Sequence, residues 1–275
     1  QDPSDYLDIL KKIPSLLKQS GVKADDVIGI GIDFTSCTIL PVKSDGTPLC
    51  NISAFRDNPH SWVKLWKHHA AQPEAERINQ VAGERNEKFL KRYGGKVSSE
   101  WFFSKTLEII RDSPEIYGAA DKIMEAQDWL VWQLTGNERR SSCGAGYKAL
   151  WSKQDGFPGQ DFFASLNSGL KNVVDEKIGN LFFPPGHKAG TLTPHWAKLT
   201  GLHPDVPVAV SIIDAHSAVL GCGVGNPHEL VLCVGTSTCH LLLSREEKLV
   251  EGICGVVEDG IIPGFYGYEA GQAGV

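Results

Sequence analysis

One apolar run that stops on a carboxylate constrains this chain more than any other feature. It reads VPVAVSIIDAH, from Val206 to His216. Val206, Val208, Val210, Ile212 and Ile213 carry strand character, and Pro207 sits near the start, where a strand tolerates proline best. Such a run, rich in β-branched residues, reads as a buried parallel strand in an α/β sheet. Ligands of open α/β sheets bind outside the carboxyl ends of the strands, which is where Asp214 lies. Further on, Gly235, Thr236, Ser237 and Thr238 form a turn between two apolar runs. Its backbone N–H groups and hydroxyls suit a phosphate, and glycine lets a ligand come close. A carboxylate facing a phosphate cradle is the minimum equipment for phosphoryl transfer.

Composition narrows the partners. The formal net charge of the 275 residues is -6, with no basic block, which argues against nucleic acid. No apolar run has membrane-spanning length, and the opening QDPSDYL does not read as a signal peptide. The seven cysteines are scattered singly, which fits reduced thiols in a cytoplasmic protein and gives no metal-ligand spacing.

Periodicity and punctuation set the remaining expectations. Helices are expected over 5–20 with a kink at Pro14, over 59–71 bearing Trp62 and Trp66, and over 84–92, 99–111, 114–120, 127–134, 165–174 and 195–200. A strand is expected over 27–34, with Asp33, Thr35 and Ser36 gathered at its end. Ser44, Asp45 and Gly46 read as a hairpin turn, and 141–147 as a loop or short strand. After Asn226 the pattern changes to short strands over 229–234, 238–243, 252–257 and 264–268. The expected domains are therefore 1–225 and 226–275. His68 and His69, adjacent on the expected 59–71 helix, face different ways and do not make a metal pair.

Several stretches together resemble the FGGY carbohydrate kinases. They are SSEWFFSKTLEIIRDSPEIY, DWLVWQLTG, IIDAH and VLCVGTST. DFTSCTILP, VKLWKHHAA and GYEAGQAGV are similar to the ribulokinase branch of that family. The resemblance implies an actin-like ATPase (ribonuclease H-like) fold and ATP-dependent phosphorylation of a ketopentose, most simply ribulose. ATP and Mg²⁺ are the implied cofactors, a small sugar the implied partner, and a homodimer is compatible with the family. It also implies that the chain is an internal segment: an Asp-x-Gly-Thr phosphate motif, with the main metal ligand, is expected upstream, and the adenosine site downstream.

The resemblance implies roles for single residues. Asp214, otherwise read as a helix N-cap, becomes the catalytic base. Gly235 to Thr238, otherwise a plain hairpin turn, becomes a phosphate site. Trp66, Lys148 and Glu269 become sugar-binding residues, against readings as core indole, solvated lysine and strand-end carboxylate. Thr35 and Ser36 are weaker pocket candidates, His216 reads as a packed residue, and no residue is assigned as a metal ligand. Two alternatives stay open: a non-catalytic sugar-binding or assembly module, and a kinase for xylulose, another pentulose or glycerol.

Overall fold

The computed structural model describes residues 1–235 and 237–273. The chain opens with helices α1 (Pro3–Leu10) and α2 (Ile13–Ser20), then strands β1 (Asp33–Phe34) and β2 (Ile39–Val42). A helical block follows: α3 (Gln72–Glu84), α4 (Phe102–Asp112) and α5 (Pro114–Ala119). Next come β3 (Lys122–Glu125), α6 (Ala126–Thr135), β4 (Arg140–Ser141), α7 (Ser142–Lys148) and α8 (Gln160–Leu166). After β5 (Phe182–Phe183), β6 (Lys188–Thr191) and α9 (Pro194–Thr200), the chain reaches β7 (Pro207–Ala209), β8 (Ile212–Ile213) and α10 (Asp214–Gly221). It ends in β9 (Leu230–Val234), β10 (Ser237–Ser244), β11 (Gly255–Glu258) and β12 (Tyr266–Ala273).

The run from Val206 divides into β7, which pairs antiparallel with β6 and bridges Ile30 in parallel, and β8, which is the expected parallel strand. β8 pairs in parallel with β1, Asp33 opposite Ile212 and Phe34 opposite Ile213. The preceding residues keep the same direction, since Ile30 N–H donates to Pro207 O at 2.9 Å and Ala209 N–H to Ile30 O at 2.9 Å. Two parallel strand ends, Asp33 and Asp214, thus lie side by side. The last four strands form an antiparallel sheet in the order β11-β12-β10-β9. β12 is therefore flanked on both sides, and Glu269 is held opposite Leu241 of β10 and Gly255 of β11.

The structure corrects several expected elements. The helix over 5–20 is two helices, with Pro14 in the first turn of α2, where its missing N–H costs nothing. The helix over 59–71 is one 3₁₀ turn, Pro59–Ser61. Beyond it Lys64 exchanges backbone hydrogen bonds with Ile39 at 2.9 and 3.1 Å, and this pairing overrides the apolar spacing. Trp62 and Trp66 are therefore not neighbours on a helix face, nor are His68 and His69 on a helix. The helix over 84–92 is the 3₁₀ helix Lys88–Tyr93, and an unexpected helix, α3, opened by Pro73, precedes it; Asn86 at φ 52° separates the two. Residues 141–147 are helix α7, capped by Ser141, whose hydroxyl accepts the Cys143 N–H. Gly144 and Gly146 concealed it. The 165–174 region divides into the end of α8, a 3₁₀ turn at Ser168–Leu170 and the start of a π turn at Val174–Ile178, because Asn167 turns the chain and accepts the Gly169 N–H as the cap of the 3₁₀ turn.

Two cores matter for the site. α3, α4, α5 and α8 close on Ile78, Phe103, Ile109, Phe162 and Phe163. α7, α10 and the antiparallel sheet close on Tyr147, Ile213, Val219, Leu241 and Val257. Gly94 joins the helical block to the sheet: it sits at φ 62°, its carbonyl accepts the Gly252 N–H at 3.2 Å, and an added Cβ would collide with the Ile253 backbone. We expect Gly94→Ala to cost about 2–3 kcal/mol in urea unfolding. Gly83→Ala, in open space near the end of α3, should be neutral or gain about 0.5–1 kcal/mol. Equal effects would contradict the close approach at Gly94.

Candidate active site

The site builds from the paired strand ends. Asp214 is the first residue of α10 rather than its N-cap, which is Ile213. Its Oδ1 accepts the Ala215 N–H at 2.8 Å, and the carboxylate is exposed. Partial burial and the neighbouring Asp33 charge raise its pKa above the ordinary aspartate value. Ser217, one turn along α10, donates to Asp33 Oδ2 at 3.0 Å. Asp33 was placed at a strand end from the sequence but given no role; the structure makes it the neighbour of Asp214.

The glycine turn lies close by. Cys233, two residues before Gly235, donates its thiol to Ala215 O at 3.4 Å, so the end of β9 abuts the start of α10. Gly235 N–H donates to Ser237 O at 2.8 Å. Gly235 and Ser237 are exposed and Thr238 is half-buried; Thr236 lies outside the described residues.

Beneath this mouth is a buried ion pair. Lys148 Nζ, at the end of α7, donates to both Glu269 oxygens at 2.7 and 2.8 Å, across 121 residues of sequence. Burial opposes charge on Glu269, but Lys148, helped by His216, outweighs it and holds the carboxyl far below the usual range. Burial likewise opposes charge on Lys148, and Glu269 outweighs it, raising the ammonium pKa well above the usual lysine value. His216, 1% exposed, stacks on Tyr147 with ring centroids 4.2 Å apart. Its Nε2 lies 3.4 Å from Glu269. Trp101 closes the other side, its ring 5.5 Å from Lys148 Nζ.

Sequence reasoning missed Lys105, which ties the pocket's loops together. Fully buried on α4, its Nζ donates to Cys37 O and Leu65 O at 2.5 and 2.6 Å. Those carbonyls adjoin Ser36 and Trp66. Thr35 and Thr38 share a hydroxyl hydrogen bond of 2.8 Å, and Trp66 is 45% exposed, so its indole is open to a ligand. A lysine at the fourth residue of the amphipathic helix α4 gave the only available signal. His68 and His69 point to different carboxylates, Glu108 and Glu100. Glu125 was also missed: burial first, and Asp128 second, push its carboxyl up to about 8.

The fold is that of the sugar kinases with an actin-like ATPase core. Over all of this chain it superposes on 52% of xylulose kinase from Rhodospirillum rubrum, with a TM-score of 0.73 at 18% identity. Over 98% of the chain it superposes on 52% of Plasmodium falciparum glycerol kinase with ADP, at a TM-score of 0.70 and 18% identity. In sequence it is similar throughout to curated ribulokinases. It is 52% identical to that of Geobacillus thermodenitrificans over 276 residues, covering 100% of this chain and 49% of the relative. It is 48% identical to that of Mycolicibacterium smegmatis over 277 residues, again 100% and 49%. The chain spans about half the length of these relatives. No family model matches it.

The ion pair predicts a mutational and a pH pattern. Lys148→Met should destabilise by about 3–5 kcal/mol by leaving Glu269 charged and buried, and Lys148→Met with Glu269→Leu should recover most of it. Because Glu269 is depressed and Lys148 raised, the pair's contribution is complete at neutral pH. It is lost only as pH falls below the ordinary glutamate range or rises above the ordinary lysine range. Glu125 acts oppositely: with its pKa raised from 4.5 to about 8, it makes stability fall as pH rises through that window. Asp128, raised from 3.8 to about 7 by burial, adds a slope of the same sign; denaturant unfolding against pH should show the combined slope, and Glu125→Gln should reduce it.

Proposed function

We propose that this segment forms about half of a cytoplasmic, ATP-dependent ribulokinase that converts ribulose to ribulose 5-phosphate. The observation that carries the reading is Asp214, an exposed carboxylate at a parallel strand end, with the glycine turn at Gly235 beside it and the buried Lys148–Glu269 pair beneath. Similarity to ribulokinases along the whole chain supports the sugar class. In this reading residues 1–225 form the sugar-side domain and 226–275 open the second one.

The sugar lies over the exposed face of Trp66 and against Thr35, Ser36, Lys148 and Glu269. An indole face packs on the apolar side of a sugar, and the ion pair offers it both donors and acceptors. Asp214 accepts the proton of the terminal hydroxyl. Its raised pKa makes it a stronger base than an ordinary aspartate, while its Ala215 amide contact fixes its direction. Gly235, Thr236, Ser237 and Thr238 hold the phosphates of ATP.

The residues present fit Mg²⁺ held in the usual way, through one or two carboxylates and the substrate phosphates. Asp33 and Asp214 are the two carboxylates available, and among the described residues no group of three or more ligands gathers. Bound there, the ion supplies charge neutralisation for the transferred phosphoryl group.

The test uses a full-length kinase containing this segment. Its kcat/KM should be highest for ribulose in a panel with xylulose and glycerol. Asp214→Asn should lower kcat by roughly 10²- to 10⁴-fold while leaving ribulose KM and thermal stability largely intact. A preference for another sugar would overturn the substrate. Unchanged kcat per folded molecule would remove Asp214 from catalysis.

A further inference from the structure

Buried polar atoms are almost always partnered, so those that are not call for an explanation. Among the described residues, those of His60 and Glu74 lie apart, and those of Glu125, Gln127, Tyr147 and His216 lie on or beside α7. The amide oxygen and nitrogen of Gln127 have no hydrogen-bond partner, and the Glu125 carboxylate has none of good geometry, with the Thr38 backbone amide its nearest donor. The two residues are only 4% and 0% exposed. Their neighbour Asp128 is equally deep but satisfied: it accepts the Ser141 N–H at 2.9 Å and the Ser211 hydroxyl at 3.2 Å. Asp128 is a structural acid, whereas Glu125 and Gln127 have no such use.

Their direction is set by α7. Gly144 and Lys148 are four residues apart and share one helix face. An added Cβ at Gly144 would collide with the Gln127 amide nitrogen and come within 3.6 Å of Glu125 Cγ. The unpartnered groups therefore line the face that carries Lys148. Glu125 also feels the charges of Lys105 and Lys148. An amide, a carboxyl and an ammonium pair thus form one polar wall, deeper than the exposed Asp214. Sugar hydroxyls both donate and accept, so such a wall suits them better than any apolar or singly charged ligand.

We propose that Glu125 and Gln127 bind the hydroxyls of the sugar remote from the one that is phosphorylated, and so select chain length and hydroxyl pattern. The proposal rests on the kinase reading above for the identity of the sugar, not for the existence of the polar wall.

The experiment compares the full-length kinase with its Gln127→Met and Glu125→Gln variants. Three quantities are measured: thermal midpoint without ligand, calorimetric Kd for pentuloses, pentitols, glycerol and a deoxy analogue of the best ligand, and KM for ATP. Gln127→Met should leave the midpoint unchanged or higher, because it removes an unpaired buried amide. Its Kd for the preferred sugar should rise about tenfold or more, and its discrimination against the deoxy analogue should shrink. Glu125→Gln should shift sugar Kd in the same direction, with ATP KM within about twofold of the parent. An unchanged sugar Kd in both variants overturns the proposal. So does a parallel loss of sugar and ATP affinity with a lowered midpoint, which marks a fold defect. If the parent prefers a polyol or hexulose, the substrate named above is wrong, and the same comparison on that preferred ligand decides this proposal separately.

Discussion

The site depends on the pairing of Lys148 with Glu269. Each charge alone would be costly to bury. Together they join α7 to an interior strand of the antiparallel sheet, 121 residues later in sequence. The strand is flanked on both sides, so the carboxylate cannot drift. His216 and Trp101 close around the pair and keep water from screening it. A bidentate pair with a depressed acid and a raised base stays ionised through the physiological range. It presents fixed donors and acceptors at no reorganisation cost.

Around that fixed point the other elements sort by depth. Asp214 and Asp33 sit at the exposed ends of neighbouring parallel strands, where burial first, and the Asp33 charge beside it, raise the proton affinity of Asp214. Lys105 clamps the loops that carry Ser36 and Trp66 by their carbonyls. Glu125 and Gln127 are the deepest of these groups, 4% and 0% exposed.

The apolar run from Val206, the strands after Asn226 and helices α4, α5, α6 and α9 were legible from composition and spacing. So was Asp214, because a strand that ends on a carboxylate is a local pattern. The failures share a physical cause. The 59–71 stretch has helical spacing, but Lys64 pairs with Ile39, a tertiary contact that no local window contains. α7 was hidden by two glycines whose missing side chains make room for Gln127 and Val257. Lys148 and Glu269 were each read as contacting sugar alone, and their mutual pairing spans too much sequence to be inferred. Glu125 and Gln127 looked like ordinary strand-to-helix residues; only the absence of partners at depth distinguishes them.

The most direct test of the account is a crystal structure of the full-length kinase with ribulose bound. The account predicts the terminal hydroxyl within about 2.6–3.2 Å of the Asp214 carboxylate, and the remaining hydroxyls turned toward Lys148 and Glu269. Ribulose bound elsewhere, or bound with Asp214 touching only the Ala215 amide, would contradict it.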